Sequence, residues 1–543
     1  MSSYNHTTDP HQQSVLEAIE AGQSILLCGR AGTGKSYTLN QWTQLTKKNH
    51  VLLAPTGVAA LHLGGQTIHS FFQIAPGSLP HEVADKAGSL PKNKQNMIKA
   101  IETLVIDEIS MVRADLLDCV DITIRIVTHN PQPFGGKQLV LVGDMYQLPP
   151  VVKSHEKQLF TLKGGLKLEY AGFYFFHSQA FASGFTPRLH ILQHAFRQQD
   201  DPEFLTLLNT IRNCSVDSQQ LAQINHQVST APQPTGTTAI YLTGTNQRAN
   251  TINQRHLQSL SGEQKLFTAS QWGQVDARTM PVDTELQLKI GARVMITRND
   301  HHLDRWVNGT TGTVTSFYTD TAKDGTTTTS VQVQKDTDGA KVKIVPCSWE
   351  VYRYVLKNDR LERDLVGAFT QIPLRLAWAV TIHKAQGKTF DSIIVDLEDA
   401  IFAHGQAYVA LSRCTNLQGI SLTSPLEKRH ILLDTEITKF MASYQVQQAR
   451  TEQSQEELEA TINTAIAACH PLRIDYLHNS DSPSSTIIEP QKLSDIEYKG
   501  STHRCLTARK ENGQNHYFNL ARMLGAYSVA KVTQEKASSE NPA

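Results

Sequence analysis

The chain has 543 residues, of which 40% are apolar and 19% charged, and its 51 basic and 51 acidic residues give a net charge of zero. This length exceeds what one hydrophobic core supports and predicts about three or four domains. The balanced charge excludes binding of nucleic acid through bulk basicity, so a strand-binding surface would have to be a local groove.

The sequence shows no sign of membrane insertion or secretion. No apolar run approaches the roughly 20 residues of a membrane span, and the first residues lack a secretory apolar segment. The seven cysteines are scattered without a C-x-x-C pair, which argues for free thiols and against a zinc ribbon or disulfide framework. We expect the protein to have no membrane partner. We also expect it to work in a reducing, cytoplasmic compartment and to be of bacterial or phage-like origin.

Residues 29–36 read Gly-Arg-Ala-Gly-Thr-Gly-Lys-Ser, between an apolar run at 24–28 and a helix-compatible stretch at 37–45. This phosphate loop, in its strand–loop–helix setting, predicts nucleotide binding, because backbone N–H groups and the helix dipole favour phosphate there. Lys35 is expected to reach the β- and γ-phosphates and Ser36 to ligate Mg²⁺. The other loop residues expected to contact the nucleotide are Gly29, Ala31, Gly32, Thr33 and Gly34.

Apolar runs alternate with helix-compatible segments along much of the chain. Strands are predicted at 25–28, 51–54, 104–106 and 139–142, and a second set at 239–242, 393–397 and 420–423. This alternation predicts an α/β protein with parallel sheets. Between the two sets, short β-type segments are separated by Asn308-Gly309, Asp324-Gly325 and Asp338-Gly339, which are strong turn signals. They predict a small all-β insertion.

Two strand ends carry candidate catalytic residues. Asp107 and Glu108 end the apolar run at 104–106; Asp107 is expected to hold Mg²⁺ and Glu108 to orient and deprotonate the attacking water. Gln147 follows the run at 139–142 and is interpreted as a sensor of the γ-phosphate. Each stretch also fits a strand that simply ends in polar residues or in a proline-stopped turn.

Arg197 and Arg413 are candidate arginine fingers, since a guanidinium stabilises charge on a transferred phosphoryl group. Taken alone, each is more often a surface residue. The turn from Lys384 to Gly387 offers donors to a phosphodiester, although His383 beside it is by itself more often a packing or surface residue.

Phe71 and Phe72 offer stacking faces to bases, and an aromatic pair after a helix is more often core.

In this order, these segments resemble superfamily 1B helicases, and specifically the petite-integration-frequency (PIF-one) family. The resemblance covers roughly residues 10–440. It rests on motif Ia (54–60 and 64–72), the signature between motifs II and III (118–143), the barrel insertion (288–295 and 307–314), motif V (378–391) and motif VI (407–414).

The resemblance implies an ATP- and Mg²⁺-dependent 5′→3′ DNA helicase with two RecA-like P-loop NTPase lobes and a small all-β barrel inserted in the second. Gln12 then reads adenine, Gly387 joins the nucleotide-binding residues, and Arg197 and Arg413 act from the second lobe. The strand-contacting positions are Thr56, Gly57, His69, Phe72, His383 and Lys384. Expected partners are single-stranded and forked DNA bound by a monomeric motor, and RNA–DNA hybrids and G-quadruplexes stay open as substrates.

The expected domains are a first lobe with a wedge element, a divided second lobe, the insertion, a linker, a C-terminal domain and a tail. The C-terminal domain is small and mixed α+β, and its segments at 472–476, 488–490 and 517–523 are similar to WYL domains without the triplet that names them. It is either a module that binds single strands or tunes the motor, or a packing appendage. The expected bounds are 1–188 with the wedge at about 70–99, 189–282 and 374–445, 283–373, 446–462, 463–530 and 531–543.

Three functions stay open on sequence alone: a helicase, a single-strand-dependent translocase or RecD-like motor subunit, and a catalytically silent nucleic-acid-binding scaffold. The intact Lys35, Asp107 and Glu108 argue against the scaffold.

Overall fold

The computed structural model describes residues 9–152, 170–194, 201–228, 239–300, 305–321, 327–397, 403–432, 434–478, 483–498, 500–510 and 513–529. The chain separates into two compact units, Met1–Leu433 and Asp434–Ala543. None of the helices within these ranges is long and apolar enough to cross a membrane.

The larger unit begins with an α/β region, residues 9–192, which we call the first lobe. Its strands are β1 (Ile25–Gly29), β2 (His50–Ala54), β3 (Gln66–Thr67), β4 (Thr103–Ile106), β5 (Gln138–Gly143) and β6 (Arg188–Leu192). Its helices are α1 (Pro10–Glu20), α2 (Lys35–Leu45), α3 (Gly57–Leu63), α4 (Ile68–Phe72), α5 (Pro80–Ala87), α6 (Lys92–Ala100), α7 (Ala114–Thr128) and α8 (Gln179–Ala182). The strands form one parallel sheet in the order β3-β2-β4-β5-β1-β6.

The sheet of the first lobe is buried on both faces. Strands β1, β4 and β5 are buried at every residue, which is why they read as continuous apolar runs rather than as alternating ones. The sheet extends beyond the expected boundary at residue 188, because β6 pairs in parallel with β1 as far as Leu192.

The rest of the larger unit contains fourteen described strands and five described α-helices. The strands are β7 (Ile240–Thr243), β8 (Lys265–Thr268), β9 (Ser270–Gly273), β10 (Glu285–Leu288), β11 (Arg293–Ile296), β12 (Thr311–Thr321), β13 (Thr327–Lys335), β14 (Lys341–Ile344), β15 (Cys347–Lys357), β16 (Arg360–Gln371), β17 (Leu374–Leu376), β18 (Ala379–Thr381), β19 (Ile393–Val395) and β20 (Ile420–Leu422). The helices are α9 (Pro202–Arg212), α10 (Ser218–Asn225), α11 (Asn246–Ser259), α12 (Ile382–Ala385) and α13 (Gln406–Leu411).

A second parallel sheet has the order β18-β7-β19-β20. We call its strands and helices, residues 201–259 and 379–432, the second lobe. The two parallel sheets confirm the α/β class and the alternating pattern from which it was predicted.

The strands between the two parts of the second lobe are antiparallel, and we call residues 265–376 the insertion. They form sheets in the orders β14-β13-β12-β11-β17, β15-β16-β9 and β10-β8. The insertion is longer at both ends than the expected 283–373, because β8 and β9 pair with β10 and β16, and β17 pairs with β11.

The hairpin of β15 and β16 packs against the first lobe. The Tyr354 hydroxyl accepts a hydrogen bond of 2.9 Å from the Leu52 N–H, and the Leu361 N–H donates to Asn49 Oδ1 at 3.2 Å. The region of the first lobe that was expected to be a wedge, about 70–99, contains α5 and α6. In α6, the Lys94 ammonium lies 3.6 Å from the ring centre of Phe71.

The smaller unit contains α14 (Thr435–Glu452), α15 (Gln455–Ala468), β21 (Leu472–Leu477), β22 (Pro483–Tyr498), β23 (Ser501–Lys510), β24 (Asn515–Asn519) and β25 (Met523–Ser528). The strands form an antiparallel sheet in the order β24-β23-β22-β21-β25. Leu458 and Ile462 of α15 pack in one core with Leu506 and Phe518 of the sheet. Residues 446–462 were expected to be a helical linker. They are helical except at 453–454, but Leu458 and Ile462 belong to this core, so the second helix is part of the domain. The expected tail, 531–543, lies outside the described residues.

Candidate active site

The phosphate loop joins β1 to α2 and depends on its glycines. Gly32 and Gly34 have φ angles of 81° and 84°, a left-handed backbone that glycine adopts without strain. The Lys35 ammonium donates to the carbonyl oxygens of Gly29, at 2.7 Å, and Arg30, at 3.0 Å. Lys35 and Ser36 are the first two residues of α2, so the hydroxyl and the ammonium lie at the helix N-terminus where phosphate is favoured.

Asp107 and Glu108 follow β4, as the sequence predicted. The Glu108 N–H donates to Asp107 Oδ1 at 2.9 Å, and the Glu108 backbone has a φ of 51°, rare for a residue with a side chain. Burial raises the pKa of both carboxyl groups, and the positive charge of the nearby Lys35 ammonium partly offsets this increase. The Asp107 charge further raises the pKa of Glu108.

Gln386 connects the two lobes at this carboxylate pair. Its side-chain nitrogen donates to Glu108 Oε2 at 3.2 Å and to Gln147 Oε1 at 3.0 Å. The Gln147 amide nitrogen in turn donates to Asp144 Oδ2 at 2.9 Å. Gln386 directly follows α12, so one residue of the second lobe contacts both the predicted base and the predicted sensor of the first.

A second connection runs through Asp144, which is 1% exposed. The Arg212 guanidinium, at the end of α9, lies 3.4 Å from Asp144 Oδ1 and 3.8 Å from the ring centre of Tyr146. Tyr408, in α13, accepts a hydrogen bond of 3.3 Å from the Ala31 N–H in the phosphate loop. Its hydroxyl also donates to Asp144 Oδ2 at 3.5 Å. The phosphate loop, the strand end after β5 and the second lobe therefore share one polar network.

The lobes also approach each other closely at Gly405. A Cβ atom at this position would lie 2.4 Å from the Gln147 carbonyl oxygen and 2.6 Å from that of Tyr146, and its φ is 77°. Glycine is required here both by the backbone conformation and by the contact.

Of the two predicted arginine fingers, Arg413 lies within the described residues. Arg197 lies outside the described residues. Arg413 is 1% exposed, and its guanidinium donates to the Val409 carbonyl at 2.8 Å, to Ser412 Oγ at 2.9 Å and to the Lys388 carbonyl at 3.4 Å. These three hydrogen bonds are made within its own lobe, and its charge lowers the pKa of Glu108.

Of the predicted strand-contacting residues, Thr56 and Gly57 are partly buried and contact other residues of the protein. The Thr56 hydroxyl accepts from the Ala59 N–H at 3.3 Å and caps α3. A Cβ atom at Gly57 would lie 2.3 Å from Thr279 Cβ, so the insertion covers this position.

The prediction that Phe72 stacks on bases is wrong for this conformation. Phe72 is 2% exposed and its ring packs edge-on against Phe71, because both belong to the core beneath α4. His69 is half-buried, with Nδ1 3.2 Å from the Ile74 carbonyl. His383 and Lys384, by contrast, are exposed on α12.

The two remaining predicted nucleotide contacts lie at different depths. Gln12 is 3% exposed within α1. Gly387 is exposed in the turn after α12, with a φ of 78°.

Sequence reasoning missed Arg212, Tyr408 and Gln386. Gln386 and Tyr408 lie inside stretches that were recognised for their neighbours, so a residue-by-residue reading of those stretches could have found them. Arg212 ends an amphipathic helix, where a basic residue is ordinary, and carried no signal.

Comparison with known proteins identifies the family of this chain. The family model described as PIF1-like helicase matches residues 7–220. The ATP-dependent DNA helicase Pif1 of Bdellovibrio bacteriovorus is 30% identical over 442 residues, which are 80% of this chain and 92% of that protein. The chain belongs to the PIF1-like helicase family.

Other members of the PIF1-like helicase family are longer or are known as crystal structures. The ATP-dependent DNA helicase PIF1 of Homo sapiens is 35% identical over 75% of this chain, and the match spans 59% of its own length. The chain thus spans about three fifths of the length of several curated relatives. The crystal structure of Bacteroides sp Pif1 in complex with ADP-AlF4 is 32% identical, covers 82% of this chain and 98% of its own, and has a TM-score of 0.71. The Bacteroides Pif1 bound to ssDNA, with the same identity and coverage, has a TM-score of 0.55.

Proposed function

We propose that this protein is an ATP-dependent DNA helicase that moves 5′→3′ along single-stranded DNA and unwinds duplex or structured DNA. The observation that carries the proposal is the position of Gln386. It contacts Glu108 and Gln147 in the first lobe and follows the exposed His383 and Lys384 by two or three residues. A strand held at α12 can therefore alter the position of the group that activates water.

The nucleotide chemistry is assigned to the first lobe. Lys35 and the loop amides bind the phosphates, Glu108 accepts a proton from the attacking water, and Gln147 orients it. Ser36 and Asp107 offer a hydroxyl and a carboxylate oxygen, a donor set that suits Mg²⁺. When bound, this ion supplies neutralisation of the phosphate charge.

Lobe closure is assigned to the contacts at Arg212, Tyr408 and Gly405. The Tyr408 hydroxyl is hydrogen-bonded to the Ala31 N–H, a loop amide suited to a phosphate oxygen. Nucleotide arrival would release this hydroxyl, so binding and lobe movement are linked at one atom. Arg197 and Arg413 complete the proposal as residues that approach the phosphates on closure, and Gln12 and Gly387 as further nucleotide contacts.

The wider architecture is proposed on the same basis: two RecA-like lobes, a small β-barrel in the insertion and a WYL-like C-terminal domain. Single-stranded and forked DNA are the proposed partners, since one similar structure is of Bacteroides Pif1 bound to ssDNA and another concerns DNA unwinding at forked dsDNA by two coordinating Pif1 helicases. Thr56, Gly57 and His69 join His383 and Lys384 as proposed contacts of the strand.

The test compares ATP hydrolysis with and without single-stranded DNA. Gln386→Ala is expected to lower the ratio of stimulated to basal turnover by about tenfold, because two hydrogen bonds between the lobes, one of them to a carboxylate, are lost. Gln41→Ala is the matched control, since Gln41 bonds to Tyr37 on its own helix. An unchanged ratio in Gln386→Ala would contradict the proposed link between strand and base.

The helicase and the translocase are separated by a second assay. A duplex with a 5′ tail should be unwound with ATP present and one with a 3′ tail should not. Strand-stimulated hydrolysis without unwinding of either substrate would favour the translocase.

A further inference from the structure

A cavity of about 290 Å³ lies between the first lobe and the insertion. Val58 and His62 of α3 line one side, and Trp349 and Tyr352 of β15 line another. This volume is at the lower end of the roughly 300–1,000 Å³ found for small-molecule sites, and aromatic walls suit a flat ligand.

Two residues of the cavity wall carry buried oxygens that lack hydrogen-bond donors. Thr297 Oγ1 and Asn308 Oδ1 have no hydrogen-bond partner among the residues that the structure describes, and Thr297 is only 3% exposed. Buried polar atoms without partners are costly and uncommon in native proteins. A ligand with N–H donors would satisfy both oxygens, and nucleobases carry such donors on their edges.

A cation without a carboxylate partner lies beside the cavity. The Lys388 ammonium is 3.5 Å from Met295 Sδ, and within the described ranges it forms no ion pair. Gly309, next to Asn308, lies near Lys388: a Cβ atom built on Gly309 would be 3.7 Å from Lys388 Cβ. Burial, and after it the Lys388 charge, lower the pKa of His62, which lines the cavity, so the ammonium lies within electrostatic reach of the cavity wall.

The surroundings of Lys388 are also cationic. Met295 is the cross-strand partner of Arg375, so the two side chains lie on the same face of the sheet and Arg375 is brought towards the ammonium. Burial, and after it the Arg375 charge, together lower the pKa of Lys388 to about 7. Burial lowers the pKa of Arg375, and the charge of the Asp283 carboxylate raises it. Two clustered cations with so little acidic compensation suit a phosphate group.

We propose that the cavity and Lys388 together bind one nucleotide of the DNA strand, with its base in the cavity and a neighbouring phosphate on the lysine ammonium. The proposal rests on the proposed function, since it assigns a subsite to the strand on which the motor would move. A base held in this way fixes the strand between the first lobe and the insertion.

The first experiment fills the cavity. Val58→Trp places an indole in the space, and Leu45→Trp adds the same group at a position that is 77% exposed on α2. An indole in the cavity would exclude the base and remove its stacking on the aromatic walls. Val58→Trp should therefore weaken binding of a fluorescein-labelled deoxythymidine oligonucleotide by about tenfold, and Leu45→Trp should leave it unchanged. Equal affinity in all three proteins overturns the base site.

The second experiment tests the unpaired oxygen without changing side-chain shape. Thr297→Val removes the acceptor, and because the native oxygen is unpaired, the midpoint of thermal unfolding should not fall. Oligonucleotide affinity should fall by about fivefold if a base donates to this oxygen. A variant that folds normally and keeps wild-type affinity would show that the oxygen contacts no base.

The third experiment concerns the phosphate. Lys388→Met keeps the length of the side chain and removes the charge, so the slope of log affinity against log salt should become shallower by about 0.7, the value for one phosphate on a single strand. Lys428→Met, on the exposed surface, is the control and should leave the slope unchanged. An unchanged slope in Lys388→Met overturns the phosphate contact. Binding of deoxyadenosine monophosphate with the same dependence on Lys388 would instead indicate a site for free nucleotide.

The outcomes separate this proposal from the proposed function. A wild-type protein that hydrolyses ATP in response to oligonucleotide, together with unaffected Val58→Trp and Lys388→Met variants, would refute the nucleotide site alone. A wild-type protein without strand-stimulated hydrolysis would refute the motor, whatever the variants bind.

Discussion

Replacing Arg212 by methionine should open the contact between the lobes at Asp144. The guanidinium is 3.4 Å from Asp144 Oδ1 and stacks at 3.8 Å on the Tyr146 ring, and the Asp144 side chain is 1% exposed. After the substitution, the carboxylate would remain buried without its cation. Removing one partner of a buried ion pair typically costs about 3–5 kcal/mol.

Part of this cost is offset at Asp144 itself. Its oxygens still accept hydrogen bonds from the Tyr146 N–H at 3.2 Å and from the Gln147 amide at 2.9 Å. We therefore expect a net loss of about 2–4 kcal/mol in the closed state, which corresponds to roughly 30- to 700-fold in equilibrium. Because closure brings the second lobe to the nucleotide, kcat/KM for ATP should fall within this range at saturating single-stranded DNA.

Two further variants locate the effect. Arg212→Lys keeps the charge but not the planar stack on Tyr146, so its loss should be smaller, about tenfold. In a cycle with Asp144→Asn, the double variant should lose much less than the sum of the single ones. A kcat/KM for Arg212→Met within threefold of wild type, or full additivity in the cycle, would show that this pair does not stabilise closure.

Other variants test the rest of the site. Lys35→Ala should abolish ATP turnover, and Glu108→Gln should retain binding of ATP and single strands while turnover becomes very slow, as measured by hydrolysis and filter binding; near-normal rates would contradict these roles. Gly405→Ala and Gly184→Ala both place alanine at a positive φ, but only at Gly405 would the new Cβ meet a neighbour, at 2.4 Å. Only Gly405→Ala should therefore lose ATP turnover. Equal losses in the two variants would rule out the close approach. Lys94, 7% exposed, has a pKa lowered to about 7 by burial, from a usual 10.5. The folded state then holds fewer protons between those pH values, so stability should rise with pH across this window, and Lys94→Met should remove the rise and increase the midpoint of thermal unfolding at pH 6 by about 2–4 °C.

The parts of the fold that depend on short-range pattern were predictable. Strands β1, β4 and β5 are buried at every residue and therefore appear as apolar runs. The phosphate loop is set by glycine positions, because Gly32 and Gly34 adopt a backbone that other residues avoid. Such features are encoded by neighbouring residues and need no knowledge of the rest of the chain.

The parts that depend on long-range packing were not predictable in the same way. The sequence left open whether Phe72 faces bases or belongs to the core, and only the tertiary structure shows that it is buried. Arg212 and Asp144 are 68 residues apart, and nothing local indicates their pairing. Leu458, Ile462 and Ala465 are spaced as one helical face, which a polar composition concealed, so this segment was taken for a linker. The bounds of the insertion depend in the same way on which strands pair.

Strand separation on tailed duplexes tests the proposed activity as a whole. With ATP and Mg²⁺, we expect a forked duplex carrying a 5′ single-stranded tail to be unwound, with hydrolysis stimulated by that tail, and Lys35→Ala to be inactive in the same assay. A protein that consumes no ATP in the presence of single-stranded DNA, or that unwinds only the 3′-tailed duplex, would contradict the proposed motor or its direction.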